Sequence, residues 1–136
     1  MTVFFKKLIY KYLRRIWTQW YPALPMVELE DKHIANCTNL TNRLELLKQL
    51  PKHGIVAELG VERGNFSLEI INICNPKTLH LVDSWTTAAI EQECKQNLKE
   101  KQVEYHKEYS TTYLKLAEKN SLDWVYIDTD HTYNTT

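Results

Sequence analysis

From residue 40 onward, short unbroken apolar runs alternate with segments whose apolar residues recur every three or four positions. "LTNRLELLKQL" sets Leu40, Leu44, Leu47 and Leu50 on one side of a helix that Pro51 stops. "GIVAEL" then reads as a short buried strand. "NFSLEIINIC" returns to helical spacing through Phe66, Ile70 and Ile73, and Asn75-Pro76 ends it. "TLHLVD" is a second strand, "AAIEQECKQNLKEK" a polar, exposed helix and "VEYHKE" a third strand. "TTYLKLAEKN" is a further helix, and "LDWVYID" a fourth strand. Strands with little internal alternation, separated by helices, imply parallel pairing with helices on the faces. Right-handed crossovers then give an α/β, doubly wound, Rossmann-like sheet.

The first twenty residues follow a different pattern. In "FFKKLIYKYLRRIWTQW", Phe5, Leu8, Ile9, Tyr12, Leu13, Ile16, Trp17 and Trp20 form one stripe at helical spacing. Lys6, Lys7, Lys11, Arg14 and Arg15 fall on the other side, with no acidic residue among them. A basic amphipathic helix over 1–21 is therefore expected. It would lie over the domain or a partner subunit, or make peripheral contact with an anionic membrane through residues 4–20. Basic residues interrupt every apolar core that a secretory signal would need. Pro22 and Pro25 make 22–36 a connector, leaving 37–136 as the ligand-binding part.

Ligands of such sheets bind beyond the carboxyl ends of the strands. Glu58 ends the first strand, and Gly60 to Gly64 turn into the helix. Glycines permit backbone conformations closed to other residues and let a ligand come close. Asp83 ends the second strand, where a carboxylate accepts the hydroxyls of a ribose. A pyrophosphate would call for G-x-G-x-x-G without nearby acids, whereas here the order is E-L-G-V-E-R-G, with Glu62 inside the loop. Negative charge there suits an ammonium and a sulfonium, both carried by S-adenosylmethionine. A plain packing turn, with Glu58 as a cap, is the competing reading.

Bulk composition narrows the classes. In 136 residues, 17 basic and 17 acidic side chains cancel, so no nucleic-acid partner is expected. Cys37, Cys74 and Cys94 are scattered without a C-x-x-C pair, which argues for reduced thiols in a cytoplasmic setting and against a zinc site. His33, His53, His80 and His106 show no ligand spacing and read as structural or exposed.

"VAELGVERGNFS", "LHLVDSW" and "LDWVYIDTDHTY" together resemble the first, second and fourth strand motifs of class I S-adenosylmethionine-dependent methyltransferases. The branch most similar is methyltransferase domain family 24, over about Gly54 to Tyr133. The resemblance implies that Glu58, Gly60 and Gly64 contact the methionine part of the cofactor and Asp83 the ribose, with Ser84 beside it. It places Asp128 next to the transferable methyl group and, in metal-using relatives, makes it a ligand for Mg²⁺ or another divalent cation. Trp85 either lines the adenine pocket or fills the core. Family members carry glycine where Thr129 stands, and a small acidic motif where "KEYSTTYL" puts Glu108, Tyr109 and Ser110. Tyr109 either stacks on the adenine or is simply exposed.

Methyl transfer to an alcohol or phenol also requires loss of a proton to a base or a metal-bound group. Asp128, Asp130 and His131 cluster where that help is needed. Alternatively, Asp130 caps the next turn and His131 hydrogen-bonds locally. The resemblance implies strands in the order 3-2-1-4-5-7-6, of which this chain holds 3-2-1-4, so strands 5–7 are missing and the chain reads as a truncated form or fragment. The fourth strand would then be an open edge prone to self-association. The leading expectation is O-methylation of a small-molecule hydroxyl, metal-assisted or not. A non-catalytic, membrane-peripheral interaction protein with a degenerate nucleoside pocket is the alternative, and an NAD-dependent enzyme the weaker one.

Overall fold

The computed structural model describes residues 28–130, so the expected basic helix at 1–21 and His131 lie outside the described residues. The chain divides into two compact units, Met1–Asn39 and Leu40–Thr136. In the first, a single turn, α1 (Asp31–Ile34), stands within the stretch expected to be connector. Glu30 and His33 cap it reciprocally, and all four of its residues are exposed.

The second unit runs α2 (Arg43–Gln49), β1 (Ile55–Leu59), α3 (Asn65–Cys74), β2 (Thr78–Asp83), α4 (Ala88–Asn97), β3 (Val103–Lys107), α5 (Ser110–Leu116) and β4 (Trp124–Ile127). Asn42 starts α2 by accepting the amides of Leu44 and Glu45 on its side-chain oxygen. Gly64 starts α3 with φ 76° and Asn75 ends it with φ 44°, both left-handed. The four strands form one parallel sheet in the order β3-β2-β1-β4, the arrangement expected. Ala57 pairs with His80, Glu58 with Leu81 and Leu59 with Val82. On the other side Glu58 pairs with Tyr126. Among the described residues, β3 and β4 are therefore the edges, and no helix is long and apolar enough to cross a membrane.

Strand alternation divides the apolar residues between two faces. One face carries Val56, Leu79 and Leu81, covered by Leu47 of α2 and by Phe66 and Ile70 of α3. The other carries Ala57, Leu59 and Val82 beneath Tyr113 of α5. Full burial of one such aliphatic side chain contributes about 1.5–3 kcal/mol, so the larger cluster dominates stability. The helix α4 is mostly exposed and polar, as expected, but a buried pair of residues anchors it. Cys94 is 0% and Leu98 just beyond it 1% exposed, and both pack against Gly64. All three cysteines are free, and burial pushes the Cys94 thiol up to about 12, with nearby Glu58 and Asp83 adding to the shift.

Candidate functional site

A cleft of about 600 Å³ opens beyond the carboxyl ends of all four strands. That volume is in the range of small-molecule sites. Its walls come from the residues after β1, the end of β2, the turn after β3 and the segment after β4. Six carboxylates reach it (Glu58, Glu62, Asp83, Glu108, Asp128 and Asp130), against two guanidiniums, Arg43 and Arg63. The cleft is thus strongly acidic in a chain with no net charge.

Glu58 lies on the cleft floor and is 1% exposed. Ser67 of α3, fully buried, donates its hydroxyl to Glu58 Oε2 at 2.5 Å. Burial raises the Glu58 carboxyl to about 7; the Ser67 bond and Arg43 oppose the rise, while Asp128 and Asp83 add to it. Near neutral pH this group stands at the balance between acid and carboxylate.

Asp83 is held in another way. Its Oδ2 accepts the amides of Val61 at 2.8 Å and Glu62 at 2.9 Å, and its Oδ1 accepts the Trp85 amide at 2.8 Å. Glu62 and Trp85 both have left-handed backbones, with φ of 52° and 36°, a costly conformation for residues with side chains. One carboxylate therefore holds both strained residues in place. Ser84, beside it, lines the cleft.

The glycines serve the chain itself as much as any ligand. A Cβ on Gly60 would come within 2.0 Å of the Asp128 carbonyl oxygen, and φ there is +88°. The bare backbone at Gly60 lets the β1 and β4 tips meet, a crossing also tied by the Asp128 amide to the Leu59 carbonyl at 2.8 Å. At Gly64 a Cβ would meet Leu98 Cδ1 at 2.9 Å.

Of the remaining expected site residues, Tyr109, Ser110, Asp128 and Asp130 line the cleft, and Tyr109 is 70% exposed. Trp85 lies instead in the larger core cluster, 3% exposed, with its indole N–H donated to the Glu62 carbonyl at 2.9 Å. Of its two readings, core filling is the one its position matches, because the buried ring packs in the core and its indole N–H is bonded to the loop. Arg43 was not singled out from the sequence. Its guanidinium lies 4.3 Å from the centre of the Phe66 ring and 3.4 Å from Asp128 Oδ2. A cation in the first turn of a helix opposes the helix dipole, and that misfit was the available clue. Thr129 Oγ1 is buried on the cleft wall with no hydrogen-bond partner among the described residues.

Fold and cleft define a class I, Rossmann-like domain with a ligand-sized acidic cleft at its strand tips. The chain belongs to the Methyltransferase domain family, Methyltransf_24, which matches residues 57–136. Solved structures that share the fold include two methyltransferases. Precorrin-6y C5,15-methyltransferase from Geobacter metallireducens GS-15 superposes with a TM-score of 0.53 at 12% identity, covering 85% of this chain and 57% of that one. SMU.1697c, a provisionally assigned methyltransferase from Streptococcus mutans in complex with SAH, gives 0.51 at 14% identity, covering 82% and 59%. The chain thus spans under two thirds of the length of either structure. Among curated proteins no match is found.

Proposed function

We propose that the whole protein transfers the methyl group of S-adenosylmethionine to a hydroxyl of a small molecule, and that this chain carries the cofactor site. The observation that supports this most is the acidic cleft at four parallel strand tips, floored by the buried Glu58. A dinucleotide would bring pyrophosphate charge against six carboxylates, whereas an ammonium and a sulfonium are attracted to them. When bound, S-adenosylmethionine supplies an electrophilic methyl group on sulfur, which is displaced in line by the acceptor.

The residues of the chain divide the work. Glu58, charged or neutral with almost equal ease near neutral pH, gains its charged form when a cation arrives. Asp83 accepts three amides out of roughly four acceptor sites, which leaves capacity for a ribose hydroxyl. The N-terminus of α3 has no side-chain cap at Gly64, so its first N–H groups are suited to the carboxylate of a methionine moiety. Ser84, Tyr109 and Ser110 form the wall on the adenine side. On the acceptor side, Asp130 or His131 takes the proton that a hydroxyl must lose. The Thr129 hydroxyl, without a hydrogen-bond partner among the described residues, is suited to hold the acceptor.

A divalent cation on Asp128 does not fit the described residues. Arg43 stands on that carboxylate, and no group of three candidate ligand atoms among the described residues includes it. One carboxylate is too few for a magnesium site, so no step is routed through a metal.

Calorimetric titration of the chain with S-adenosylhomocysteine and, separately, with NAD tests the reading. Binding of S-adenosylhomocysteine at one site per chain, with no heat from NAD, is the expected result. NAD binding as tightly as S-adenosylhomocysteine would overturn it.

A further inference from the structure

Outside the cofactor cleft, the register of β2 against β3 assembles a second chemical group that the sequence spacing conceals. His80 pairs with Glu104 and Val82 with His106, so His80, Glu104 and His106 project from one face of adjacent strands. His80 Nδ1 lies 3.0 Å from His106 Nε2 and 3.3 Å from Glu104 Oε2, and His106 Nε2 lies 3.9 Å from the same carboxylate oxygen. Among the described residues, no other set of three or more His, Cys, Asp or Glu ligand atoms converges in this way. The histidines, read from the sequence as structural or exposed without ligand spacing, are therefore brought together across a gap of 26 residues.

We propose that His80, Glu104 and His106 form a binding site for a zinc-class divalent cation, with a fourth position left to water. A tetrahedral ion with bonds of 2.0–2.1 Å to its ligands needs ligand atoms about 3.3 Å apart. The three separations, 3.0, 3.3 and 3.9 Å, bracket that edge. Two imidazole nitrogens 3.0 Å apart cannot both present lone pairs to each other, so a proton or a cation must stand between them. With the ion in place, His80 carries its proton on Nε2 and His106 on Nδ1, and both lone pairs face the metal.

The surroundings favour that state. The ring of Tyr113 from α5 lies tilted beside both imidazoles, with centroids at 6.0 Å from His80 and 4.9 Å from His106, and limits the room in which they can turn. Glu104 is 58% exposed on the edge strand, which gives a cation a route in. Two nitrogens and one carboxylate suit zinc, cobalt or nickel and are poor ligands for magnesium or calcium.

The test is a calorimetric titration of the chelator-stripped full chain with zinc chloride and with magnesium chloride. It is repeated with His80→Gln, His106→Gln and Glu104→Ala, each checked for folding by circular dichroism. One zinc ion per chain is expected, with affinity reduced at least tenfold in each histidine variant, several-fold in Glu104→Ala, and no magnesium binding. Cobalt(II) should give the intense visible absorption of a tetrahedral complex in the unmodified chain. Absence of zinc binding, or unchanged affinity in the variants, overturns the site. Should a histidine variant fail to fold, the exposed Glu104→Ala variant and the cobalt spectrum decide the matter.

Discussion

The tips of β1 and β2 are neighbours, and each carries a carboxylate, Glu58 one residue from the end of β1 and Asp83 at the end of β2, yet the protein treats the two acids in opposite ways. Glu58 is sealed under α3 with one hydroxyl donor, and burial holds it near 7. Asp83 accepts three backbone amides and holds two left-handed residues. One acid is a buried carboxyl whose charged form is disfavoured; the other is part of the scaffold of the loop. Burial alone does not decide which role an acid takes, since the donors around it do.

The most disruptive way to probe this contrast is to act on the bend that joins the tips. Gly60→Val places a branched side chain where even a Cβ would be 2.0 Å from a carbonyl oxygen, at a φ of +88°. The expected cost is above about 4 kcal/mol, and urea denaturation should find little folded protein. Asp83→Ala comes next. Three charge-assisted hydrogen bonds disappear, at about 3 kcal/mol or more in the same assay, and S-adenosylhomocysteine binding should go with them. Binding retained in a folded Asp83→Ala chain would remove Asp83 from the cofactor site.

The smallest effect has the opposite sign. The carboxyl of Glu58 is raised in the folded state, so its contribution to stability is fully present below the unfolded value near 4.5 and is lost as pH rises through about 7. Glu58→Gln keeps an acceptor for Ser67 and removes that loss. The variant should be more stable than the parent by up to about 3 kcal/mol at pH 8 and by less than about 1 kcal/mol at pH 5, as thermal melts at the two pH values would show.

How far this contrast was legible in the sequence differs by level. The unbroken apolar runs and the helical spacing between them pointed to all four strands, because parallel strands buried on both faces leave that pattern; their order was implied only by the resemblance of the strand motifs to class I methyltransferases. Both acidic tips and the bend were also readable, since their places along the chain are fixed by strand ends. Their division of labour was not. The Ser67 bond, the three amides on Asp83 and the inward turn of Trp85 depend on contacts across 9, 22 and 23 residues that no local pattern records. Arg43 against Asp128 spans 85 residues. The His80, Glu104 and His106 cluster escaped for the same reason, because cross-strand register, and not spacing along the chain, makes it.

The pH dependence of S-adenosylhomocysteine affinity tests the central claim most directly, that Glu58 meets the cationic end of the cofactor. Coupling of cation binding to ionisation of a group near 7 predicts affinity about tenfold weaker at pH 6 than at pH 8, and a flat profile in Glu58→Gln. A profile in the unmodified chain that is equally flat, or a slope that survives in Glu58→Gln, would contradict it.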